Sequence, residues 1–232
     1  MQTVEPCRRQ IICQLPADPH RLTITQQNAI VRGAHMSPTA ANTIRPSLHH
    51  VTMKTSRLDE MINWYALVIG TQVQFRNETA AWTTNDDANH RIAFLAVPGL
   101  SDDADKVRHN GMHHCAFEYS SFAKLMSTFD RLRQAGVDPA FCLHHGMTIS
   151  LYYKDPEGNF VELQSDNFSD WRLSGEFMRN SPQFAANPIG VFFDPARVYE
   201  TFKSGTDFET LQRSVYAGAF LPDPIPNIGL PA

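Results

Sequence analysis

An internal repeat constrains the fold of this chain more than any other feature of its sequence. The first copy reads LHHVTMKTSRLDEM from Leu48 and the second reads MHHCAFEYSSFAKLM from Met112. The two histidine pairs align without a gap at an offset of 64 residues, from His50 to His114. Self-similarity of this kind indicates that one supersecondary unit occurs twice. The chain is therefore expected to contain two copies of one module.

Hydrophobic periodicity predicts the same order of elements in both copies. Alternating apolar and polar residues indicate strands, and apolar residues three to four positions apart indicate a helix. Helices are predicted over 57–70 and 120–136, each ending at a glycine, as helices commonly do. Strands are predicted over 47–55, 71–77, 79–85 and 90–99 in the first copy and over 111–119, 138–143, 147–155 and 159–166 in the second. Each copy is thus a βαβββ unit.

These elements predict an α+β protein in which two βαβββ modules, 47–100 and 111–165, form one open mixed β-barrel. Residues 1–46 lack sustained periodicity and are interpreted as an N-terminal arm. Residues 166–232 are interpreted as a C-terminal covering segment without strands. Two short helices are expected there, near Pro195–Ser204 and around Asp207–Ala217.

Charge and composition argue against several classes of partner. The formal net charge is −4 and the pI is near 6.2, with no basic run, so neither nucleic acid nor an anionic membrane surface is an expected partner. No stretch approaches the roughly 18 consecutive apolar residues of a membrane span. The four cysteines form no CxxC pair and no even framework, which favours reduced thiols and a cytoplasmic protein.

The paired histidines raise the question of which ring faces a functional site. Neighbouring side chains on a strand point to opposite faces. In the first copy His49 shares a face with the apolar Val51 and Met53, so His50 points the other way. The same parity in the second copy groups His113 with Cys115, Phe117 and Tyr119. It leaves His114 on the opposite, more polar face.

Glu162 is a third candidate on the last predicted strand. It lies between Val161 and Leu163 and so points away from the apolar face. A buried and unpaired carboxylate would cost several kcal/mol. A glutamate exposed on an edge strand is the alternative, but two inward histidines from repeated units favour a shared site. Two histidines and one carboxylate on one face of an ion leave positions open. That arrangement is typical of non-haem Fe(II) oxygenases, and it suits Mn(II) or Zn(II) less exclusively.

The repeat, the LHHVT and MHHCAF strand starts and the segment DPEGNFVEL resemble the vicinal oxygen chelate superfamily, the glyoxalase/bleomycin-resistance/dioxygenase group. Within it, the type I extradiol dioxygenases, of the catechol and dihydroxybiphenyl kind, are the most similar. The resemblance covers residues 47–165. It implies Fe(II), with Mn(II) as the alternative, bound by His50, His114 and Glu162.

The resemblance also implies catalytic residues beyond the metal ligands. NDDANHRIAF resembles the segment that carries the family's acid–base histidine, which falls on His90. HHGMTISLYYKDPEGN resembles a segment whose histidine and tyrosine fall on His145 and Tyr152, with His144 left as the alternative to His145.

Two further interpretations concern the walls of this site. His90 is expected on the inner face together with Ile92 and Phe94. Phe94 and Phe160 are candidate apolar walls for an aromatic ring.

The implied function is extradiol cleavage, in which both atoms of O₂ enter a catechol or 2,3-dihydroxybiphenyl type of substrate. The resemblance also implies a one-domain form that assembles into a homo-oligomer. Two other classes stay open. The first is another metal-dependent enzyme of the superfamily, a glyoxalase-like lyase or isomerase or a thiol transferase. Glyoxalases usually need a fourth ligand, which the residues near Ile92–Phe94 do not offer. The second is a binding module without metal.

Overall fold

The computed structural model describes residues 44–231 of the chain. The arm predicted for residues 1–46 lies outside the described residues except for its last three positions.

The first module contains the five predicted elements in the predicted order. They are β1 (Val51–Thr55), α1 (Leu58–Ile69), β2 (Gln72–Arg76), β3 (Ala80–Thr84) and β4 (Ile92–Ala96). Helix α1 buries Met61, Tyr65 and Val68, which lie on one side of the helix. It ends where Gly70 adopts the left-handed conformation, with φ of 72°, and donates its N–H to Ala66 O.

The second module repeats this order. Its elements are β5 (His114–Tyr119), α2 (Phe122–Gln134), β6 (Phe141–His144), β7 (Thr148–Lys154) and β8 (Phe160–Asp166). Helix α2 begins after Ser121, whose hydroxyl accepts a hydrogen bond from Lys124 N and so satisfies one unpaired amide of the first turn.

Each module forms its own mixed sheet, in the orders β1-β4-β3-β2 and β5-β8-β7-β6-β9. The first strand of each module pairs in parallel with the last, and the other pairs are antiparallel. The predicted α+β class with two βαβββ modules is confirmed. Among the described residues no strand ladder joins the two sheets, so both remain open, as an open barrel requires.

The registers of the two modules are equivalent. Val51 pairs with Ile92 in the first module, and Cys115, 64 positions after Val51, pairs with Val161 in the second. The helix-facing sides of both sheets contribute to one hydrophobic core, which includes Phe94. The opposite face of each sheet is therefore the one available for a site.

The C-terminal segment packs on the second module. It contains α3 (Trp171–Asn180), α4 (Pro182–Ala186), β9 (Val191–Phe192), α5 (Pro195–Lys203) and α6 (Phe208–Tyr216), followed by the C-terminal tail, residues 222–231. The two helices expected near Pro195–Ser204 and Asp207–Ala217 are confirmed.

The expectation of no strand in this segment was wrong, because β9 pairs with β6. A two-residue strand has no period that a sequence pattern can reveal. Gly190 permits the pairing, because a Cβ at this position would collide with the His144 carbonyl.

Within residues 44–231, no helix is long and apolar enough to cross a membrane.

Candidate metal and catalytic site

One face of the second sheet carries four polar side chains that the sequence singled out. Glu162 on β8 pairs with Tyr152 on β7 and with Ala116 on β5, so all three share a face. His114 lies two residues before Ala116 on that same face, and His145 follows directly after β6. The register of the sheet therefore brings together residues that are up to 48 positions apart.

Short distances connect the four side chains around the Glu162 carboxylate. His114 Nε2 lies 3.0 Å from Glu162 Oε2, and His145 Nε2 lies 3.9 Å from Glu162 Oε1. His145 Nε2 also lies 2.9 Å from the Tyr152 hydroxyl. The Glu162 side chain is only 6% exposed, whereas His114 is 34% exposed. We call these four residues the Glu162 cluster.

Electrostatics keep the buried carboxylate ionised. Burial raises the pKa of the Glu162 carboxyl, but His114, the Ser150 hydroxyl and His145 together outweigh this effect, so that its pKa lies below the ordinary value. Burial lowers the pKa of His145, and it raises the pKa of the Tyr152 hydroxyl, as does the neighbouring Glu162. The cluster therefore presents an anionic oxygen ligand beside a neutral imidazole and a neutral phenol.

His114 and Glu162 are suited to hold one divalent ion. Imidazole nitrogen and carboxylate oxygen bind such ions at about 2.0–2.2 Å. Two ligands at right angles around one ion are then about 3 Å apart, which matches the measured separation of 3.0 Å. In the metal-free protein, a proton shared by His114 Nε2 and Glu162 Oε2 can take the place of the ion.

The first module gathers a second group of side chains. The ligating nitrogens of His49, His50 and His90 all lie within 4.8 Å of one another, a spacing that could hold a metal. The rings of His50 and His90 are 4.4 Å apart between centroids. We call these three residues the histidine cluster.

The side chain of the preceding residue, Asn89, sets the tautomer of His90. Asn89 Oδ1 lies 2.7 Å from His90 Nδ1 and can only accept, so Nδ1–H donates. His90 Nε2 then carries the lone pair. Partial burial and the nearby His50 and His49 rings lower the pKa of His90, which favours this neutral, basic form.

The structure does not bring all three predicted metal ligands together. Among the described residues, His49, His50 and His90 are the only group of three potential ligands so closely spaced, so His50 does not lie within 4.8 Å of both His114 and Glu162. His114 and Glu162 meet in the Glu162 cluster, and His50 lies with His90 in the histidine cluster.

Two interpretations of the first sheet were wrong. Ile92 and Phe94 do not share the inner face. They pair with Val51 and Met53, and both are buried in the core beneath α1, so Phe94 forms no wall of a site. His90 precedes β4 by two residues, and strand alternation no longer fixes the direction of its ring. The other candidate wall, Phe160, does lie on the same face of its sheet as Glu162.

The structure separates His144 from His145. His144 belongs to β6 and pairs with Ile149, on the helix-facing side of the sheet, where it is 1% exposed. Burial, together with the adjacent His145, lowers the pKa of His144 to about 4. Its Nδ1 accepts a hydrogen bond from Gly146 N. Of the two histidines, only His145 belongs to the Glu162 cluster.

Strand alternation gave the wrong direction for the His113 side chain. It was expected on the apolar, helix-facing side, but β5 begins only at His114, and the His113 ring stacks on Phe160 with 5.2 Å between centroids. Phe160 belongs to an apolar patch beside the Glu162 cluster, made of Phe141, Leu143, Tyr152 and Phe160, with Phe192 and Ile228 packed against it. The patch is a buried apolar cluster next to the candidate ligands.

Comparisons with known proteins match most of this chain. The model of the Glyoxalase/Bleomycin resistance protein/Dioxygenase superfamily matches residues 47–163. Biphenyl-2,3-diol 1,2-dioxygenase 2 of Rhodococcus globerulus is 35% identical over 81% of this chain and 98% of its own length. Biphenyl-2,3-diol 1,2-dioxygenase 3 of the same organism is 33% identical over 75% of this chain and 92% of its own length. A solved glyoxylase/bleomycin resistance protein/dioxygenase domain from Frankia is 19% identical, with a TM-score of 0.45, over 53% of this chain and 100% of that chain.

Proposed function

Because the chain belongs to the glyoxalase/bleomycin resistance protein/dioxygenase superfamily, we propose that it is an extradiol dioxygenase acting on a catechol-type diol of the 2,3-dihydroxybiphenyl class. The two curated relatives are named for dioxygenation of biphenyl-2,3-diol, and each is covered over more than nine tenths of its length. The observation that carries the proposal is the buried Glu162 carboxylate between His114 and the His145–Tyr152 pair.

We assign His50, His114 and Glu162 as the ligands of a non-haem Fe(II) ion, with Mn(II) as the alternative. Two imidazoles and one carboxylate are a donor set that such ions accept. His114 and Glu162 have a separation that suits two ligands of one ion. The support for His50 is its equivalence to His114 in the repeat and its exposed ring. When bound, the ion would hold the two diol oxygens and O₂ and pass electron density from the ring to oxygen.

A missing carboxylate in the first module favours this chemistry over that of a glyoxalase. By register, Ala93 on β4 is the equivalent of Glu162 on β8, because Thr52 pairs with Ala93 as Ala116 pairs with Glu162. Alanine offers no ligand atom, so the ion would have three protein ligands rather than four. The positions left open are those that a chelating diol and O₂ require.

The remaining residues of the site move and hold protons. His90 Nε2, with its lone pair and lowered pKa, can take a proton from a diol hydroxyl and return it later in the reaction. The Tyr152 hydroxyl stays protonated because of its burial, so it can donate a hydrogen bond to a substrate oxygen. His145 contacts that hydroxyl and would fix its direction.

An apolar patch beside the site suits an aromatic substrate. The buried apolar patch of Phe141, Leu143, Tyr152 and Phe160 borders the site and would exclude water from the carbon skeleton of an aromatic diol bound there. We propose the diol and O₂ as the reactants, a cytoplasmic location and assembly into a homo-oligomer.

The proposal is tested by reconstituting the protein with Fe(II) without air and then admitting air with 2,3-dihydroxybiphenyl or catechol. We expect O₂ uptake and a yellow ring-opened product. Glu162→Gln should abolish this activity. Glu118→Gln is its matched control, because Glu118 lies on the same face of the sheet but accepts a hydrogen bond from the Trp171 indole at the surface. Stoichiometric iron without O₂ uptake on a panel of catechols would instead indicate a lyase, isomerase or transferase of the superfamily.

A further inference from the structure

The C-terminal tail touches the candidate metal site through His113. Its Ile228 side chain packs on the apolar patch beside the Glu162 cluster, and its Ile228 carbonyl lies 2.8 Å from His113 Nε2. His113 Nδ1 in turn lies 2.8 Å from His114 Nδ1. A continuous chain of contacts therefore runs from the tail to a candidate ligand.

The direction of each hydrogen bond in this chain follows from the first one. A carbonyl oxygen can only accept, so His113 Nε2–H donates to Ile228 O. In a neutral imidazole the other nitrogen carries a lone pair, so His113 Nδ1 accepts. The donor to it is then His114 Nδ1–H. With its Nδ1–H donated to His113, His114 can bind an ion only through Nε2. This atom lies 3.0 Å from Glu162, and an ion there would replace the proton that the two atoms can share.

We propose that the C-terminal tail is part of the metal site, because the Ile228 carbonyl, acting through His113, fixes His114 in the tautomer whose Nε2 can bind an ion. His113 is then a positioning residue. Partners that set the tautomer and orientation of a ligating histidine typically change metal affinity 10- to 100-fold when removed. The inference rests on the proposed function, since it takes His114 as a ligand.

The first module shows the same contact without the tail. His49 Nδ1 lies 3.0 Å from His50 Nδ1, with the rings edge to face, as in the second pair. In both pairs the outer histidine can accept the Nδ1 proton of the inner one. Among the residues that the structure describes, only the second pair has its outer ring held by a carbonyl, and there the direction is determined.

Gly229 allows the tail to lie this close. It adopts φ of +79°, and a Cβ at this position would collide with the Phe160 ring. Alanine at position 229 would therefore displace the neighbouring Ile228 carbonyl. Gly205 is a matched control, because its φ of +100° imposes a similar backbone strain while nothing lies within 4 Å of an added Cβ.

The first experiment compares metal affinity, measured with Fe(II) and with Co(II), in the full-length protein and its variants. His113→Phe keeps a ring on Phe160 but loses both hydrogen bonds, and we expect binding to weaken 10- to 100-fold. His113→Asn retains an acceptor for His114 and should restore most of the affinity. Gly229→Ala should weaken binding about 10-fold, whereas Gly205→Ala and Ile228→Ala, which keep the carbonyl in place, should not.

A second experiment reads the tautomer directly in the wild-type protein, loaded with diamagnetic Zn(II), from the ¹⁵N shifts of its histidine rings. We expect His113 protonated on Nε2 and not on Nδ1. The opposite tautomer, or a His113→Phe variant that binds metal as tightly as wild type, would overturn the proposal. If the metal affinities change as expected but wild type cleaves no catechol, the proposed function fails and the tail's role stands.

Discussion

The two modules share a sequence pattern and a register, yet they differ in what surrounds the equivalent positions. The second module places Glu162 where the first has Ala93, and its sheet is extended by β9 and contacted by the C-terminal tail. In the first module the edge strand β2 is exposed at all five residues, and Phe75 is 57% exposed. Both modules have a histidine pair, but only the second has the carboxylate and is contacted by β9 and the C-terminal tail.

This difference shows how a duplicated unit can produce an open coordination site. Two identical modules, each with a histidine and a glutamate, would surround an ion with four ligands. A module that retains its histidine and lacks the glutamate leaves a position free for substrate. The comparison between modules can therefore be tested by substitutions at equivalent positions.

The largest effect is expected for Glu162→Gln. Removal of the charged ligand should abolish iron retention and reduce ring cleavage to background, because the amide is a much weaker ligand than the carboxylate. Iron content after dialysis and O₂ uptake are the measurements. If the histidine cluster alone held the ion, iron would persist in this variant and be lost in His49→Phe, and the asymmetry between modules would have no role.

His90→Ala should lower kcat about 10³-fold while iron stays bound, since general acid–base catalysis typically contributes 10²–10⁴-fold. Asn89→Ala should lower kcat less, because His90 keeps its ring but loses the acceptor that fixes its tautomer. Steady-state kinetics with iron content measured in parallel separates the two losses. Equal kcat values for His90→Ala and wild type would exclude the first module from proton transfer.

Ala93→Glu makes the first module resemble the second. A fourth ligand should retain iron but lower O₂-dependent cleavage about 100-fold, because it competes with substrate for the open position. Ala93→Val is the control, since it adds volume at this buried position without a ligand atom. Equal losses in both variants, with equal drops in Tm, would mean that crowding rather than coordination is responsible.

The buried His144 of the second module should make the free energy of unfolding depend on pH. Its folded-state pKa of about 4 lies below the ordinary value of 6.5, so the folded state binds fewer protons than the unfolded state between these values. The free energy of unfolding should therefore fall on acidification from pH 7 to pH 5, by about 2 kcal/mol from this group. Urea unfolding of wild type and His144→Gln at both pH values is the measurement. An equal fall in both would contradict the assignment.

The smallest effect is expected for Tyr152→Phe. It removes one hydrogen bond to substrate oxygen and leaves the ring stacked on Phe141, at 4.3 Å between centroids. A loss of about 10-fold in kcat/KM, or roughly 1.4 kcal/mol, corresponds to one such bond. Phe141→Leu tests the packing contribution separately. A larger loss in Phe141→Leu than in Tyr152→Phe would show that packing of Tyr152 matters more than its hydroxyl.

The sequence predicted those parts of the site that depend on regular strands. Alternation along β5 and β8 was enough to put His114 and Glu162 on one face, because a strand repeats every two residues. It failed for His49, His90 and His113, which lie just before strands, where alternation does not apply. His49 was expected on the apolar face opposite His50, but it is exposed and its Nδ1 lies 3.0 Å from His50 Nδ1.

Other features depend on contacts across long separations in the chain. The approach of the Ile228 carbonyl to His113 joins residues 115 positions apart and has no local signal. The β9–β6 pairing similarly depends on a close backbone approach at Gly190 rather than on a hydrophobic pattern. The assignment of His145 over His144 needed the observed end of β6 at His144.

The parallel pairing of β5 with β8 has a consequence for the behaviour of the chain as a polymer. An ion bound between His114 and Glu162 would join the first strand of the module to its last and so close a loop between positions that are 48 apart. Such a link acts as a reversible crosslink, since it restricts the unfolded chain without a covalent bond. A chelator would open it, and the free energy lost would depend on the concentration of free metal.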